Sequence, residues 1–228
     1  MPATDVDPRP RLDVVRIVDV ALAIADREGA DAVTMRRLGA ELGVDGTAVY
    51  RYFRSKRELL AAMADRLFAA TLEAFPDGDD WRANLRACVM LGYATYRRHP
   101  GFARALAEQG DDGEALTRIA EYALRQLAAG GCSDEDAAIT YQALVDLVVG
   151  VGVYHGIVAD MFEERTREAL RRSYAALDGE RHPTASRLAP HLFQDPGASF
   201  ERAVDLLLDG LAARLRAQST LRENEEDR

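Results

Sequence analysis

Apolar residues recur every three or four positions along almost the whole chain, and that period dominates what it can fold into. No alternating β-branched run and no Asn-Gly hairpin turn interrupts it, so the pattern predicts an all-α protein. From Leu12 to Glu28 the residues Val14, Ile17, Val18, Ala21, Leu22 and Ala25 share one face, and Gly29 supplies the stop. Thr34 is a good N-cap for a short helix that turns Leu38 and Leu42 inward, and Gly43 can take the left-handed conformation that ends it. Asp45 caps another short helix with Val49 and Phe53 inward. Ser55 then caps a longer one through Leu59, Leu60, Met63, Leu67 and Phe68 to Phe75.

Pro76-Asp77-Gly78-Asp79-Asp80 is rich in turn formers and divides the chain. Beyond it, helices are expected near Trp81 to His99, Phe102 to Gln109, Gly113 to Ala129, Ser133 to Arg172 with an interruption, and Ala198 to Ala217. Ser133 with Asp136 resembles a capping box. His182 to Pro196 reads as a loop because of its prolines. The polar ends, residues 1–10 and 218–228, read as disordered tails. The expected organisation is a helix-turn-helix domain over 11–57, a connecting helix over 58–75 and a helical bundle over 79–217.

Between Thr34 and Leu60 the geometry is that of a helix-turn-helix, two short helices meeting at a glycine turn. Leu38, Leu42, Val44, Val49 and Phe53 would pack them together, leaving Gly46, Thr47, Ala48 and Arg51 on the exposed face of the second helix. Small residues there let a backbone approach base edges, and a long Arg can reach guanine O6 and N7. Thr34, Tyr50, Tyr52 and Lys56 offer hydroxyl or ammonium donors suited to phosphate oxygens. Read alone, the pattern also fits a three-helix structural module.

Charge favours the DNA reading. The chain carries a net charge of -9, with 29 Lys+Arg against 38 Asp+Glu, so any nucleic-acid site must be local. Thr34 to Glu58 is such a place: Arg36, Arg37, Arg51, Arg54, Lys56 and Arg57 outnumber Glu41, Asp45 and Glu58. Lys56 is the only lysine in a chain that otherwise uses Arg, a hint of a specific need.

The run Leu42-Gly-Val-Asp-Gly-Thr-Ala-Val-Tyr-Arg-Tyr-Phe-Arg-Ser-Lys-Arg-Glu-Leu-Leu60 resembles the signature of the TetR-like (tetracycline-repressor) regulators, and the likeness extends over Leu12 to Phe75. The resemblance implies phosphate contacts from Thr34, Tyr50, Tyr52 and Lys56, and base contacts from Arg36, Gly46, Thr47, Ala48 and Arg51. It further implies a sequence-specific transcriptional regulator, a homodimeric repressor that a small-molecule effector releases from a double-stranded palindromic operator. The motif itself says only that DNA is bound, so an activator stays open. Asp45-Gly46 departs from the family's usual cap and bulkier next residue, which implies fewer side-chain base contacts.

The C-terminal half resembles the family only in its helical plan and in the Leu206-Leu-Leu-Asp-Gly-Leu211 stretch. Ala143 to Phe162 is apolar nearly all round, as suits a helix between a core and a partner subunit; Asp146, His155 and Asp160 make it costly as a membrane span. Gly152 and Gly156 would admit a neighbouring helix, and Phe200, Val204, Leu207, Leu208, Leu211 and Leu215 form a matching stripe. The family resemblance makes these two helices the dimer interface. Candidate effector-pocket groups are polar or aromatic residues in apolar helices: Tyr93, Tyr96, His99, Phe102, Tyr122, and then Tyr141, Tyr154, His155, Met161 and Phe162. Each taken singly also fits core or interface. Asp146 is expected to pair with an Arg or His.

Other classes find little support. The histidines His99, His155, His182 and His191 lack metal-ligand spacing, and no nucleophile elbow or phosphate loop is present, so neither an enzyme nor a cofactor or metal is expected. Cys88 and Cys132 form no Cys-x-x-Cys pair and read as buried thiols of a reducing cytoplasm. The first ten residues lack the basic start and apolar run of a signal peptide, so a cytoplasmic protein that does not enter a membrane is expected.

Overall fold

The structure, a computed structural model, describes residues 12–109, 113–157 and 163–226. Within these the chain is helical with short 3-10 turns and has no strand, as the apolar period predicts. The helices are α1 (Val14–Glu28), α2 (Met35–Leu42), α3 (Gly46–Val49), α4 (Lys56–Glu73), α5 (Trp81–Arg98) and α6 (Pro100–Gln109), followed by α7 (Glu114–Ala129), α8 (Asp134–Ile157), α9 (Glu164–Ala175), α10 (Pro183–Leu188) and α11 (Pro196–Glu226).

Local chemistry sets the helix ends. Asp13 accepts from the Arg16 N–H at 2.8 Å to start α1, and Gly29 ends it at φ 89°. Thr34, Asp45 and Ser55 cap α2, α3 and α4, each side-chain oxygen accepting a backbone N–H two or three residues on. Gly43 takes the left-handed conformation, φ 70°, between α2 and α3. Ser133 Oγ accepts the Asp136 N–H at 3.2 Å to cap α8 and donates to Asp136 Oδ2 at 3.1 Å, so the carboxylate meets the hydroxyl and not the Ser133 N–H of the expected capping box.

The three N-terminal helices enclose Ile17, Leu38, Val49 and Phe53, all essentially without solvent contact, each contributing about 1.5–3 kcal/mol by burial. α4 leaves this unit and packs on α5 and α7. A second tie joins α1 to α6. Gly101 lies so close to Ala25 that a Cβ would stand 2.0 Å from its carbonyl oxygen, and His99 Nδ1 sits 2.6 Å from Asp26 Oδ2. The C-terminal body is built from α5, α6, α7 and α8, with α11 laid along α5.

Several expectations need correction. The interrupted Ser133–Arg172 helix is two helices, α8 and α9, and the proline-bearing 182–196 segment holds α10 and a 3-10 turn. The last helix continues to Glu226, through most of the segment expected to be disordered. Met1 to Pro10 lie outside the described residues. Cys88 is buried as expected, but Cys132 is only half-buried. Asp146 is exposed and accepts from Gln142 at 2.8 Å rather than pairing with an Arg or His. No described helix is long and apolar enough to cross a membrane.

Candidate nucleic-acid interface and ligand cavity

The α2–α3 junction is tighter than two ordinary helices allow. A Cβ on Gly39 would meet the Gly46 nitrogen at 2.8 Å and the Val44 carbonyl at 2.9 Å, and one on Gly46 would meet Arg36 Cα at 3.3 Å. Gly46 therefore faces α2 and is half-buried, not turned outward as the helical pattern suggests. Thr47 and Arg51 are exposed, and Ala48 is half-buried. The Asp45 carboxyl is held below the usual carboxylate range by the Thr47 hydroxyl and then by its N–H, so the Thr47 proton is engaged within the cap.

The basic residues of this face divide by partner. Arg37 pairs with Glu28 at 2.8 Å and Glu41 at 2.7 Å, and Arg27 joins the same carboxylates. Glu28 falls to about 2, first through its hydrogen bond from Arg37 and then through Arg27. Arg36 and Arg51 have no ion pair among the described residues and stand exposed, leaving their guanidinium groups for a base edge or phosphate.

Tyr50 is 54% exposed. Tyr52 is at the margin of exposure, and its hydroxyl donates to the Leu12 carbonyl at 2.7 Å, pinning the segment before α1 and leaving lone pairs outward. Thr34 is exposed at the start of α2, and Lys56 is the first residue of α4, directly after the Ser55 cap. Thr34 and Lys56 lie at two helix N-termini, where backbone N–H groups favour phosphate oxygens, and Tyr50 and Tyr52 lie on the turn between α3 and α4.

A cavity of about 240 Å³ lies in the C-terminal body. α4 contributes Phe68 and Thr71 to its wall, Phe75 joins them just past the helix end, and α5 contributes Leu85, Cys88, Val89, Gly92 and Tyr96. Leu116, Ile119 and Ala123 of α7 face Tyr141, Leu144 and Val148 of α8 across it. Of the aromatic candidates, Tyr96 and Tyr141 are on the wall.

The others have different work. Tyr93 stacks on Phe200 at 3.9 Å, Phe102 is fully buried behind Tyr96, and Tyr122 donates to the Pro76 carbonyl at 2.6 Å. His99 pairs with Asp26, and Tyr154 is 52% exposed. Met161 and Phe162 lie outside the described residues, as does the side chain of His155. The candidates are polar or aromatic, whereas most of the wall is aliphatic; its legible signal is Phe68 and Thr71 on one face of α4, with Phe75 just beyond.

The expected interface stripe is also revised. Phe200, Val204 and Leu208 are at most 3% exposed and pack within their own chain, with Leu207 and Leu211 half-buried. Arg86 holds Asp205 at 2.7 Å and also pairs with Glu201, fixing this face of α11 on α5. Gly152 is buried under Tyr96, where a Cβ would come within 2.9 Å of the Tyr96 Cβ, so its smallness serves the α5–α8 contact. Gly156 lies one turn further along α8. The exposed apolar residues of α8 and α11 are instead Ile139, Tyr154 and Leu206.

A small-residue helix-turn-helix joined by one helix to a helical body with an apolar chamber is the architecture of a DNA-binding transcriptional regulator. Residues 17–63 match the sequence profile of the bacterial regulatory proteins of the tetR family, and residues 75–215 match that of the tetracyclin repressor-like C-terminal domain. The HTH-type transcriptional repressor DrrR1 of Streptomyces coeruleorubidus is 30% identical, over 90% of this chain and 78% of its own. A possible TetR family transcriptional regulator of Streptomyces coelicolor superposes with a TM-score of 0.75 at 29% identity, covering 88% of this chain and 99% of that one. BioQ, solved with its natural double-stranded DNA operator, gives 0.61 at 25%, covering 89% and 99%. The chain belongs to the TetR family of transcriptional regulators.

Proposed function

We propose that the protein is a homodimeric one-component repressor of the cytoplasm that binds a palindromic operator and leaves it when a small molecule fills the cavity. The observation that carries this reading is the placement of α4. It starts at the Ser55–Lys56 corner beside the helix-turn-helix, and its later turns bring Phe68 and Thr71 into the cavity wall.

Thr34, Tyr50 and Lys56 fix the docking, Tyr52 supports it by holding the Leu12 segment, and Arg36, Thr47, Ala48 and Arg51 read bases; Gly46 acts by letting α3 sit close to α2. The exposed Ile139 and Tyr154 of α8 and Leu206 of α11 form the dimer contact. A two-fold dimer sets recognition helices about 34 Å apart, one duplex turn. The repressor name of the 30% identical DrrR1 and the operator held by BioQ support the reading.

The test is binding of the purified protein to the intergenic DNA beside its own gene, titrated across salt, with Lys56→Ala and Tyr50→Phe in parallel. Two half-sites in which cations such as Arg36, Arg51, Arg54 and Lys56 together neutralise about six to ten phosphates predict about a 10³–10⁵-fold loss of affinity between 50 and 200 mM salt. Weak binding that ignores sequence and is unchanged by either substitution overturns the reading in favour of a protein-binding adaptor.

A further inference from the structure

We propose that the effector of this regulator is an uncharged, largely hydrocarbon molecule of one or two rings with a single hydroxyl- or carbonyl-type group. Its regulatory role rests on the function proposed above; its binding does not.

Size comes first. An apolar cavity of about 150 Å³ stays dry and takes benzene. At about 240 Å³ this chamber holds more than one ring, but it lies below the roughly 300 Å³ at which drug-sized sites begin.

Charge follows from the wall. Among the described residues no Asp, Glu, Lys, Arg or His lines it, and its ionisable groups are Cys88, Tyr96 and Tyr141. Burial pushes the Cys88 thiol up to about 12 and raises Tyr141, so neither ionises near neutral pH. A carboxylate or ammonium entering would shed its water without gaining a counter-ion, at a cost of several kcal/mol.

Hydrogen-bonding capacity is equally narrow. Thr95 spends its one hydroxyl proton on the Leu91 carbonyl at 3.1 Å, so in the Thr71–Thr95 pair Thr71 is the donor. Thr71 therefore offers a ligand only lone pairs. Tyr141 makes no hydrogen bond among the described residues, so its phenol is a group on the wall able both to donate and to accept. One polar function on the ligand matches one such partner, and further ones would be desolvated without compensation.

The experiment compares 2-naphthol with 2-naphthoate, nearly matched in shape and differing in charge, by calorimetric titration of the full chain near neutral pH. Gly92→Leu runs beside the parent. A Cβ at Gly92 makes only an ordinary 3.8 Å contact with Val148, so the helix keeps its place while the rest of the side chain grows into the cavity. Saturable binding of 2-naphthol, at least about tenfold tighter than 2-naphthoate and reduced at least about tenfold in Gly92→Leu, is expected. The circular dichroism spectrum and cooperative melting of Gly92→Leu should match the parent and show that the variant is folded. Equal binding of the two probes, binding of neither, or full-strength 2-naphthol binding by Gly92→Leu overturns the proposal. Selective 2-naphthol binding by a protein that ignores operator DNA leaves the cavity's chemistry standing and removes the regulatory role.

Discussion

Replacing Gly39 by Ala tests whether the α2–α3 junction really is closed by the absence of a side chain. In the interior of α2 the substitution should by itself stabilise the helix by about 1 kcal/mol. Against this, the new Cβ would stand 2.8 Å from the Gly46 nitrogen, 2.9 Å from Gly46 Cα and 2.9 Å from the Val44 carbonyl oxygen. All three are backbone atoms, so no side chain can swing aside. Restoring ordinary contact near 3.5 Å requires α3 to retreat by about 0.6 Å. A gap of that size forfeits about a quarter of the dispersion attraction of the packed pairs, among them Leu38 and Val49, both at 0% exposure. Overpacking of this kind costs about 1–3 kcal/mol, so the net outcome is destabilisation by up to about 2 kcal/mol. The recognition face is also displaced, and operator affinity should fall at least about tenfold. Urea unfolding followed by circular dichroism and an operator titration read the two effects, with Gly92→Ala as the control: room exists there, so the same change should stabilise by about 0.5–1 kcal/mol. A Gly39→Ala protein as stable as the Gly92→Ala control, with undiminished operator affinity, would refute the packing argument.

Gly101→Ala places a Cβ 2.0 Å from the Ala25 carbonyl, so melting should show a loss of about 1–3 kcal/mol, and full stability would mean α1 and α6 are not in contact. Glu28 is depressed to about 2 from 4.5, so its contribution is complete above about pH 4.5 and is lost as pH falls toward 2. Glu28→Gln should therefore flatten the acid limb of a melting-temperature profile, and an unchanged limb would show that the Arg37 pairing is idle. Phe200→Ala, removing a 3% exposed ring stacked on Tyr93, should cost about 3–5 kcal/mol in a chemical denaturation curve. Leu206→Glu, on the 61% exposed face, should instead convert dimer to monomer in sedimentation while the circular dichroism spectrum is kept. The reverse pattern would restore the interface to the Phe200 stripe.

What could be read from the sequence was local in its causes. Thr34, Asp45 and Ser55 cap their helices because a side-chain oxygen reaches N–H groups a few residues away, and Gly43 turns because no Cβ opposes a φ of 70°. The helix-turn-helix core followed from spacing alone. The misses depend on contacts distant in sequence. Which side of α11 is buried is decided by Tyr93 and Arg86, more than a hundred residues earlier, so two apolar faces of one helix could not be told apart. Gly152 looked like a landing for a partner helix, but the landing is filled by Tyr96 of the same chain. Polar and aromatic residues were the cavity candidates, yet a chamber is made by what adjacent helices fail to fill, and no single residue type marks that.

The DNA-binding unit is tied to the body at two places, and their inequality gives the cavity its leverage. At α1–α6 the contact is backbone on backbone at Gly101, reinforced by His99–Asp26, and has little room to move. At α4 the contact borders an incompletely filled chamber, where Phe68 rests edge-on against Tyr96 and Thr71 is bonded to Thr95 beside space that an occupant can take. A rigid tie beside a compliant one makes a pivot. α4 is 18 residues and about 27 Å long, so a small shift of its cavity end turns the Ser55–Lys56 corner about α1. Each recognition helix then moves relative to its dimer partner, and a half-site spacing of about 34 Å is no longer met. The effector can shift that equilibrium only by the difference in its affinity for the two arrangements, and a tenfold release requires about 1.4 kcal/mol. Burial of about 60 Å² of additional hydrocarbon surface in the DNA-free arrangement supplies that difference, which is within reach of a two-ring ligand and needs no charge on either side.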